Sequence, residues 1–127
     1  EFSRLSGLSV ADILKAPAKV AEEYSMARRD ITLVLKGHRT YIAQNGEVYE
    51  NIAGNSGMAT GGSGDVLAGI AGALLAQGAK PFDAAAAAVY LHGLAGDIAA
   101  EKLGKISMLP SDMIECIPEA LRACSVS

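Results

Sequence analysis

Residues 51–75 read Asn-Ile-Ala-Gly-Asn-Ser-Gly-Met-Ala-Thr-Gly-Gly-Ser-Gly-Asp-Val-Leu-Ala-Gly-Ile-Ala-Gly-Ala-Leu-Leu, a glycine-rich stretch that runs into an apolar segment. Five glycines fall between positions 54 and 64, and Asp65 follows the last of them. Glycine lets the backbone approach a ligand closely, and the apolar segment predicts a helix over residues 64–77. Backbone N–H groups at a helix start bind anions, most often phosphate. The stretch therefore predicts a phosphate-binding loop rather than a flexible linker.

The carboxylate of Asp65 makes the loop a candidate catalytic site. A negative charge beside a phosphate is electrostatically unfavourable unless that charge takes part in the chemistry. In phosphoryl transfer, a carboxylate accepts the proton of the attacking hydroxyl. We therefore interpret Asp65 as catalytic, with the backbone amides of Gly62, Ser63 and Gly64 as the surrounding cradle. The alternative is a residue that only complements the helix dipole.

The segments before the loop predict a helix, a strand and a hairpin. Val20, Tyr24 and Ala27 define the apolar face of an amphipathic helix that is expected to pack on a sheet. Residues 31–35 are an unbroken apolar run, which is typical of a central parallel strand covered on both faces. An Asn-Gly pair at positions 45–46 between two strand-like segments indicates a β-hairpin.

The segments after the loop predict three helices. The helix over residues 64–77 is apolar on nearly every side, so it is expected to be buried. A second helix is expected over residues 83–103, and Gly104 ends it. A third is expected over residues 111–123, where Pro118 should kink the helix or split it.

Composition excludes several classes of protein. Of the 127 residues, 50% are hydrophobic and 20% are charged, which indicates an ordered globular chain. The net charge of −3, without a basic block, argues against a nucleic-acid partner, and no apolar run is typical of a membrane span. Cys116 and Cys124 are eight positions apart on a predicted helix, too far for a disulfide, which favours reduced thiols and a cytoplasmic location.

A second candidate group of residues directly follows the predicted strand. Residues 36–40 read Lys-Gly-His-Arg-Thr, and in open α/β sheets ligands bind at the carboxyl ends of strands. Lys36, Arg39 and Thr40 are candidates to contact the phosphates or ribose of a nucleotide. An ordinary polar turn is an equally good explanation, and His38 is more typical of a solvated turn residue.

Three further polar residues are candidates of lower rank. Asn55 and Thr60 lie inside the glycine-rich stretch, where their side chains can orient the backbone or a ligand. His92 lies in the alanine-rich helix, and a hydrogen-bonded core histidine is more typical there than a ligand-binding one.

Residues 55–70, 33–37 and 89–97 together resemble the signature of the ADP/ATP-dependent NAD(P)H-hydrate dehydratases, YjeF C-terminal-type members of the ribokinase-like superfamily. The similarity covers essentially the whole chain. It implies an α/β fold, a ribokinase-like three-layer α/β/α sandwich with a mostly parallel sheet and an antiparallel hairpin. It also implies that residues 1–127 are the C-terminal portion of a single ribokinase-like domain whose N-terminal portion is absent.

The resemblance implies a lyase that repairs a nicotinamide cofactor. Such an enzyme converts hydrated NADH or NADPH (NAD(P)HX) back to NAD(P)H with ADP or ATP and Mg²⁺, and the terminal phosphate activates the hydrate hydroxyl. Asp65 matches the catalytic aspartate and would lie at the hydrate as base or substrate ligand. Glu1 resembles the end of a His-Pro-Gly-Glu-Phe segment that contributes to the substrate pocket. The implied nucleotide-binding positions are Lys36, Gly37, His38, Arg39, Thr40, Asn55, Thr60, Gly62, Ser63 and Gly64.

Several points stay open at the level of sequence. The first alternative function is a ribokinase-like small-molecule kinase that phosphorylates a sugar or vitamin-precursor hydroxyl, and the second is a non-catalytic nucleotide-binding module. No residue is assigned as a metal ligand, because the superfamily's magnesium-associated acidic motif would lie in the absent portion. The sequence does not give the preference between ADP and ATP, although its compact, bacterial-looking form leans towards ADP. A homo-oligomer, tetramer or larger, is expected.

Overall fold

Residues 1–125, the part of the chain that the computed structural model describes, contain six α-helices and three β-strands. The chain divides into two compact units between Asn51 and Ile52. The first unit holds three helices followed by the three strands: α1 (Phe2–Ser6), α2 (Val10–Lys15), α3 (Pro17–Ala27), β1 (Leu33–Leu35), β2 (Thr40–Gln44) and β3 (Glu47–Asn51).

The predicted hairpin is confirmed. Strands β2 and β3 pair antiparallel with Gln44 opposite Glu47, so that only two residues form the turn. Both have positive φ, 50° at Asn45 and 84° at Gly46. Two successive residues of positive φ are what a type I′ turn requires, and asparagine followed by glycine adopts them at the lowest cost.

The parallel pairing predicted for the first strand is not found within residues 1–125. Strand β1 hydrogen-bonds only to β2, and this pair is antiparallel, as is the pair of β2 and β3. The strand is also shorter than the apolar run, and only Leu35 in it is fully buried. An unbroken apolar run is typical of a strand that is covered on both faces, but the described residues supply only one neighbouring strand, β2.

Helix α3 packs on the sheet, as predicted, but with a slightly rotated face. Ala21 and Ser25 are its buried residues, Val20 and Tyr24 are partly buried, and Ala27 is exposed. The hydroxyl of Ser25 donates to the carbonyl of Glu22 at 2.9 Å and accepts from the backbone N–H of Gly46 at 2.9 Å. These two hydrogen bonds allow a polar residue to occupy the buried face that the apolar pattern assigned to Ala27.

The second unit has a central helix. It contains a short 3₁₀ helix (Ser56–Met58), α4 (Ser63–Ala76), α5 (Pro81–Leu103) and α6 (Pro110–Cys124). Helix α5 packs against α4 and against α6, and it ends at Gly104, as predicted. The core between these elements is formed by residues of α5, α6 and the segment that joins them: Leu91, Ala95, Ala99, Met108, Met113, Cys116 and Ala120.

The burial predicted for α4 is wrong for residues 1–125. Ser63 is its only buried residue, and added methyl groups at Gly69 or Gly72 would meet no atom of the described chain within 4 Å. An apolar composition predicts that a helix is buried, but the burial also requires another element that packs on the helix.

Helix α6 is also simpler than predicted. It runs unbroken from Pro110 to Cys124 with Pro118 inside it, so of the two expected effects of Pro118 the split does not occur and the kink stays a prediction. Pro118 lies on the exposed side, while Cys116 and Ala120 on either side of it are buried in the core. Both cysteines are free thiols, as expected. None of the helices within the described residues has the length and apolarity needed to cross a membrane.

Candidate functional site

The glycine loop, residues 53–62, begins with a tight turn that its own asparagine organises. The side-chain Oδ1 of Asn55 accepts the backbone N–H of Gly57 at 3.0 Å, which caps the 3₁₀ helix. The N–H of Met58 donates to the carbonyl of Asn55 at 3.2 Å. The side chain of Asn55 therefore orients loop backbone, one of the two roles predicted for it. Thr60 lies further along the loop and is exposed.

The end of the loop presents backbone N–H groups at the start of α4. Gly62 is the residue before the helix, with φ of 96°, and its carbonyl accepts the N–H groups of Asp65 and Val66 at 3.1 and 3.2 Å. The N–H groups of Gly61, Gly62 and Gly64 make no hydrogen bond to another residue in the part of the chain that the structure describes. Since the positive end of the helix dipole lies here too, the local field favours an anion.

Asp65 lies in the first turn of this 14-residue helix with an exposed side chain. Its carboxylate makes no hydrogen bond or ion pair with any residue in the part of the chain that the structure describes. A capping aspartate would accept a backbone N–H at the helix start, so Asp65 is not a cap. Its position in the first turn complements the helix dipole, and its carboxylate is also free to meet a ligand that binds at the adjacent amides.

Helix α5 holds the glycine loop at its two ends. At the first end, the carboxylate of Asp97 accepts the backbone N–H of Gly54 at 3.0 Å and the side-chain amide of Asn55 at 2.8 Å. At the second end, Nε2 of the buried His92 lies 3.0 Å from the carbonyl of Ser63 and 3.2 Å from its hydroxyl. A carbonyl only accepts, so Nε2 carries the proton that joins these two residues. The prediction of a hydrogen-bonded core histidine is confirmed.

Two glycines of α5 let the loop lie directly on the helix. A methyl group on Gly93 would come within 2.6 Å of the carbonyl oxygen of Ala53, and one on Gly96 would collide with the sulfur of Met58. His92, Gly93, Gly96 and Asp97 therefore form one continuous docking surface for the loop. Gly93, Gly96 and Asp97 had no predicted role. The available signal was the His-Gly-x-x-Gly-Asp spacing, which places all four residues on neighbouring turns of one helix.

The predicted residues of the first unit lie at the end of β1. Lys36 directly follows this strand and is exposed, and it lines the same shallow, mostly apolar groove as Glu1. His38 is exposed in the turn, as expected. The guanidinium of Arg39 lies 2.9 Å from the carboxylate of Glu50 on β3, so this cation has a partner within the hairpin.

The predicted site residues thus form one group in each unit. Gly37 lies in the turn between β1 and β2, and Thr40 is the first residue of β2. In the second unit Asn55 caps the 3₁₀ helix, and Gly62, Ser63, Gly64 and Asp65 lie at the start of α4. Nowhere in residues 1–125 do three or more histidine, cysteine, aspartate or glutamate side chains lie close enough together to hold a metal ion.

Known proteins are similar to this chain in sequence. The family model for NAD(P)H-hydrate dehydratase matches residues 1–119. A bifunctional NAD(P)H-hydrate repair enzyme Nnr from Moorella thermoacetica is 46% identical over 123 residues, 96% of this chain and 23% of its own length. An ADP-dependent (S)-NAD(P)H-hydrate dehydratase from Neisseria meningitidis serogroup B is 48% identical over 105 residues, 82% of this chain and 35% of its own length.

The likeness extends to three dimensions. The crystal structure of an ADP/ATP-dependent NAD(P)H-hydrate dehydratase from Bacillus subtilis, co-crystallised with ATP/Mg²⁺, matches with a TM-score of 0.89 and 31% identity. The match covers 96% of this chain and 44% of that one. It confirms the predicted ribokinase-like α/β fold class. Because the family model covers nearly all of the sequence, this chain belongs to the NAD(P)H-hydrate dehydratase family.

Proposed function

We propose that the complete gene product uses ADP or ATP to dehydrate NAD(P)HX back to NAD(P)H, a nicotinamide-nucleotide repair reaction. The observation that carries this proposal is the free carboxylate of Asp65 beside the unbonded N–H groups of Gly61, Gly62 and Gly64. The relatives support the choice of substrate, because they are named for the hydrates of NADH and NADPH. The chain spans 23% and 35% of the length of these two relatives, so the activity is proposed for the complete gene product.

In this proposal the second unit supplies the phosphate cradle and the catalytic carboxylate. The amides of Gly62 and Gly64 face a phosphate of the nucleotide, where the helix dipole lowers the energy of its negative charge. The N–H of Ser63, which the sequence also assigned to this cradle, donates to the carbonyl of Thr60 at 3.2 Å instead. The nucleotide, when bound, supplies the phosphate that activates the hydrate hydroxyl as a leaving group. Asp65 lies at the hydrate and serves as its base or ligand. Thr60 is assigned to nucleotide binding and Asn55 to shaping the loop around it.

For the first unit we assign the turn after β1 to nucleotide binding and the chain start to the hydrate. Lys36 is exposed and has no ion-pair partner among the described residues, so its ammonium group is available to a phosphate. Arg39 is paired with Glu50, so we assign the nucleotide mainly to the backbone of Gly37, His38, Arg39 and Thr40. Glu1 is assigned to substrate binding.

Mg²⁺, the location and the assembly complete the proposal. The Bacillus subtilis relative was co-crystallised with ATP/Mg²⁺, and Mg²⁺ is commonly held by nucleotide phosphates and waters with few protein ligands. The described residues contain no cluster of side chains that could hold a metal ion, so we assign no protein ligand to Mg²⁺. We further propose a cytoplasmic homo-oligomer, tetramer or larger, that prefers ADP.

The assay for this function follows the recovery of reduced-nicotinamide absorbance from NAD(P)HX by the complete gene product. We expect recovery, with release of free phosphate, only when ADP or ATP is present. A stable phosphorylated product would identify a small-molecule kinase instead. Nucleotide binding without release of phosphate would identify a non-catalytic module.

The substitution Asp65→Asn tests the catalytic role directly. We expect turnover to fall by about 10²–10⁴-fold, the usual effect of removing a group that transfers a proton. Nucleotide binding, measured by calorimetry, should be retained because the backbone amides are unchanged. Asp83→Asn is the matched control, since Asp83 occupies the same exposed first-turn position in α5. Equal turnover in the two variants would remove Asp65 from the mechanism.

A further inference from the structure

Asp97 is the residue through which α5 fixes the first end of the glycine loop. Its Oδ2 accepts the backbone N–H of Gly54 at 3.0 Å, and its Oδ1 accepts the side-chain amide of Asn55 at 2.8 Å. Hydrogen bonds to an ionised carboxylate are about twice as strong as those between neutral groups. Asp97 is half-buried and has both oxygens engaged, so its position is well defined.

The hydrogen bonds continue from Asp97 into the loop. Asn55 donates through its side-chain nitrogen to Asp97 and accepts through its side-chain oxygen the backbone N–H of Gly57 at 3.0 Å. Gly57 is the buried centre of the 3₁₀ helix that precedes the exposed amides. Two successive hydrogen bonds thus connect Asp97 on α5 to the turn that sets the path of the loop.

The second end of the loop is held independently. Ser63 is anchored by the buried His92, five residues before Asp97 on the same helix, a rise of about 7.5 Å along its axis. Because that end stays fixed when the Asp97 contacts are lost, the residues between the anchors must change their path. Those residues include Gly61 and Gly62, whose N–H groups face the proposed phosphate.

We propose that Asp97 is a positioning residue, which acts through Gly54 and Asn55 to hold the glycine loop in the shape that binds the phosphate and orients Asp65. This inference rests on the proposed function for its kinetic consequence. The expected change in the order of the loop does not depend on the proposed function.

An exchange of the two side chains tests the proposal. Asp97→Asn alone places an amide donor opposite the amide of Asn55 or the N–H of Gly54, so at least one hydrogen bond is lost. Asn55→Asp alone sets two carboxylates against each other. In the double variant, the amide introduced at position 97 donates to the carboxylate introduced at position 55 and still accepts from Gly54. That carboxylate also still accepts from Gly57, so all three hydrogen bonds and the net charge are kept.

We expect kcat of each single variant to fall by about 10²-fold, the effect of a small misplacement of catalytic groups. The double variant should recover most of this loss. All measurements use the complete gene product at a temperature where circular dichroism shows each variant to be folded. Folded single variants with the wild-type kcat would overturn the proposal, and so would a folded double variant as slow as the single ones.

A second readout separates this proposal from the proposed function. Hydrogen exchange of residues 54–62, measured by mass spectrometry, should accelerate in the single variants and return to the wild-type rate in the double variant. This result is expected even if the wild-type protein turns over no hydrate, in which case only the proposed function fails. Unchanged exchange in the single variants would show that Asp97 does not position the loop.

A milder variant covers the case in which Asp97→Asn does not fold. Asn55→Ala keeps the hydrogen bond between Asp97 and Gly54 and removes the two hydrogen bonds of the Asn55 side chain, one to Asp97 and one from Gly57. We expect an intermediate loss of kcat and faster exchange in residues 55–60. Wild-type values for both in this folded variant would also overturn the proposal.

Discussion

The hydroxyl of Ser25 is a single buried group that joins a helix to a hairpin turn. It has no exposed surface, donates to the carbonyl of Glu22 and accepts the N–H of Gly46. The side chain of Met26, also on α3, packs beside Gly46, and the Ser25 hydroxyl adds the hydrogen bond to this turn. One oxygen atom therefore satisfies a buried donor that would otherwise face the apolar side of the helix.

We expect Ser25→Ala to lower the free energy of unfolding by about 1–3 kcal/mol, the cost of leaving a buried donor without an acceptor. Urea unfolding followed by circular dichroism measures this change. Ser111→Ala is the matched control, because Ser111 lies on an exposed helical position and should change stability little. If the two variants lose the same stability, the Ser25 hydrogen bonds contribute nothing to the first unit.

At the scale of elements, α5 and α6 are joined by a core and by one exposed ion pair. Lys102 near the end of α5 donates to the carboxylate of Glu119 on α6. This hydrogen bond lowers the pKa of Glu119 and raises the pKa of Lys102. The glutamate contribution to stability is present above its unfolded-state pKa and is lost as the pH falls through the lowered folded-state pKa. The lysine contribution is present below its unfolded-state pKa and is lost as the pH rises through the raised one.

Glu119→Gln should therefore cost a small amount of stability near neutral pH, and its difference from wild type should vanish in acid. Both side chains are well exposed, so water and salt weaken the pair. Urea midpoints measured across the acid range check this, with Glu115→Gln on the same helix as control. A difference that persists below the pKa of the glutamate would contradict the ion-pair explanation.

Local features were predictable from sequence, and contacts between distant residues were not. The hairpin turn depends on two adjacent residues, Asn45 and Gly46, whose conformational preference does not depend on the rest of the chain. The loop and the free carboxylate at Asp65 also belong to one continuous stretch. The hydrogen bond between Asn55 and Asp97 joins residues 42 positions apart. An asparagine or an aspartate does not by itself predict such a partner, because many aspartates in helices are solvent-exposed.

At the scale of the whole molecule, α4 has an exposed and mostly apolar face in the described residues. Its exposed positions are mostly small or apolar: Ala68, Gly69, Gly72, Ala73, Leu75 and Ala76. The sequence predicted burial for this helix, and the described chain does not provide it. The proposed oligomer would supply a cover for this face from a second copy. The alanine-rich α5, by contrast, is largely used inside its own unit.

We expect analytical ultracentrifugation of the complete gene product to give four subunits or more. Ala73→Glu should reduce that mass, because a carboxylate placed in an apolar interface is costly to desolvate. Ala87→Glu, at an exposed position of α5, should leave it unchanged. A monomeric wild-type protein would refute the assembly, and equal masses for the two variants would exclude α4 from the interface.

The close approach of Ala53 to Gly93 limits how this site can be transplanted. A protein engineer who copied only residues 53–65 into another helical scaffold would meet a Cβ atom where the loop backbone has to lie. The transferable module is therefore discontinuous: the loop together with the docking surface of His92, Gly93, Gly96 and Asp97. By the same logic, natural substitutions at Gly54 or Met58 should be accompanied by changes on that surface, so homologous sequences can be searched for this coupled variation.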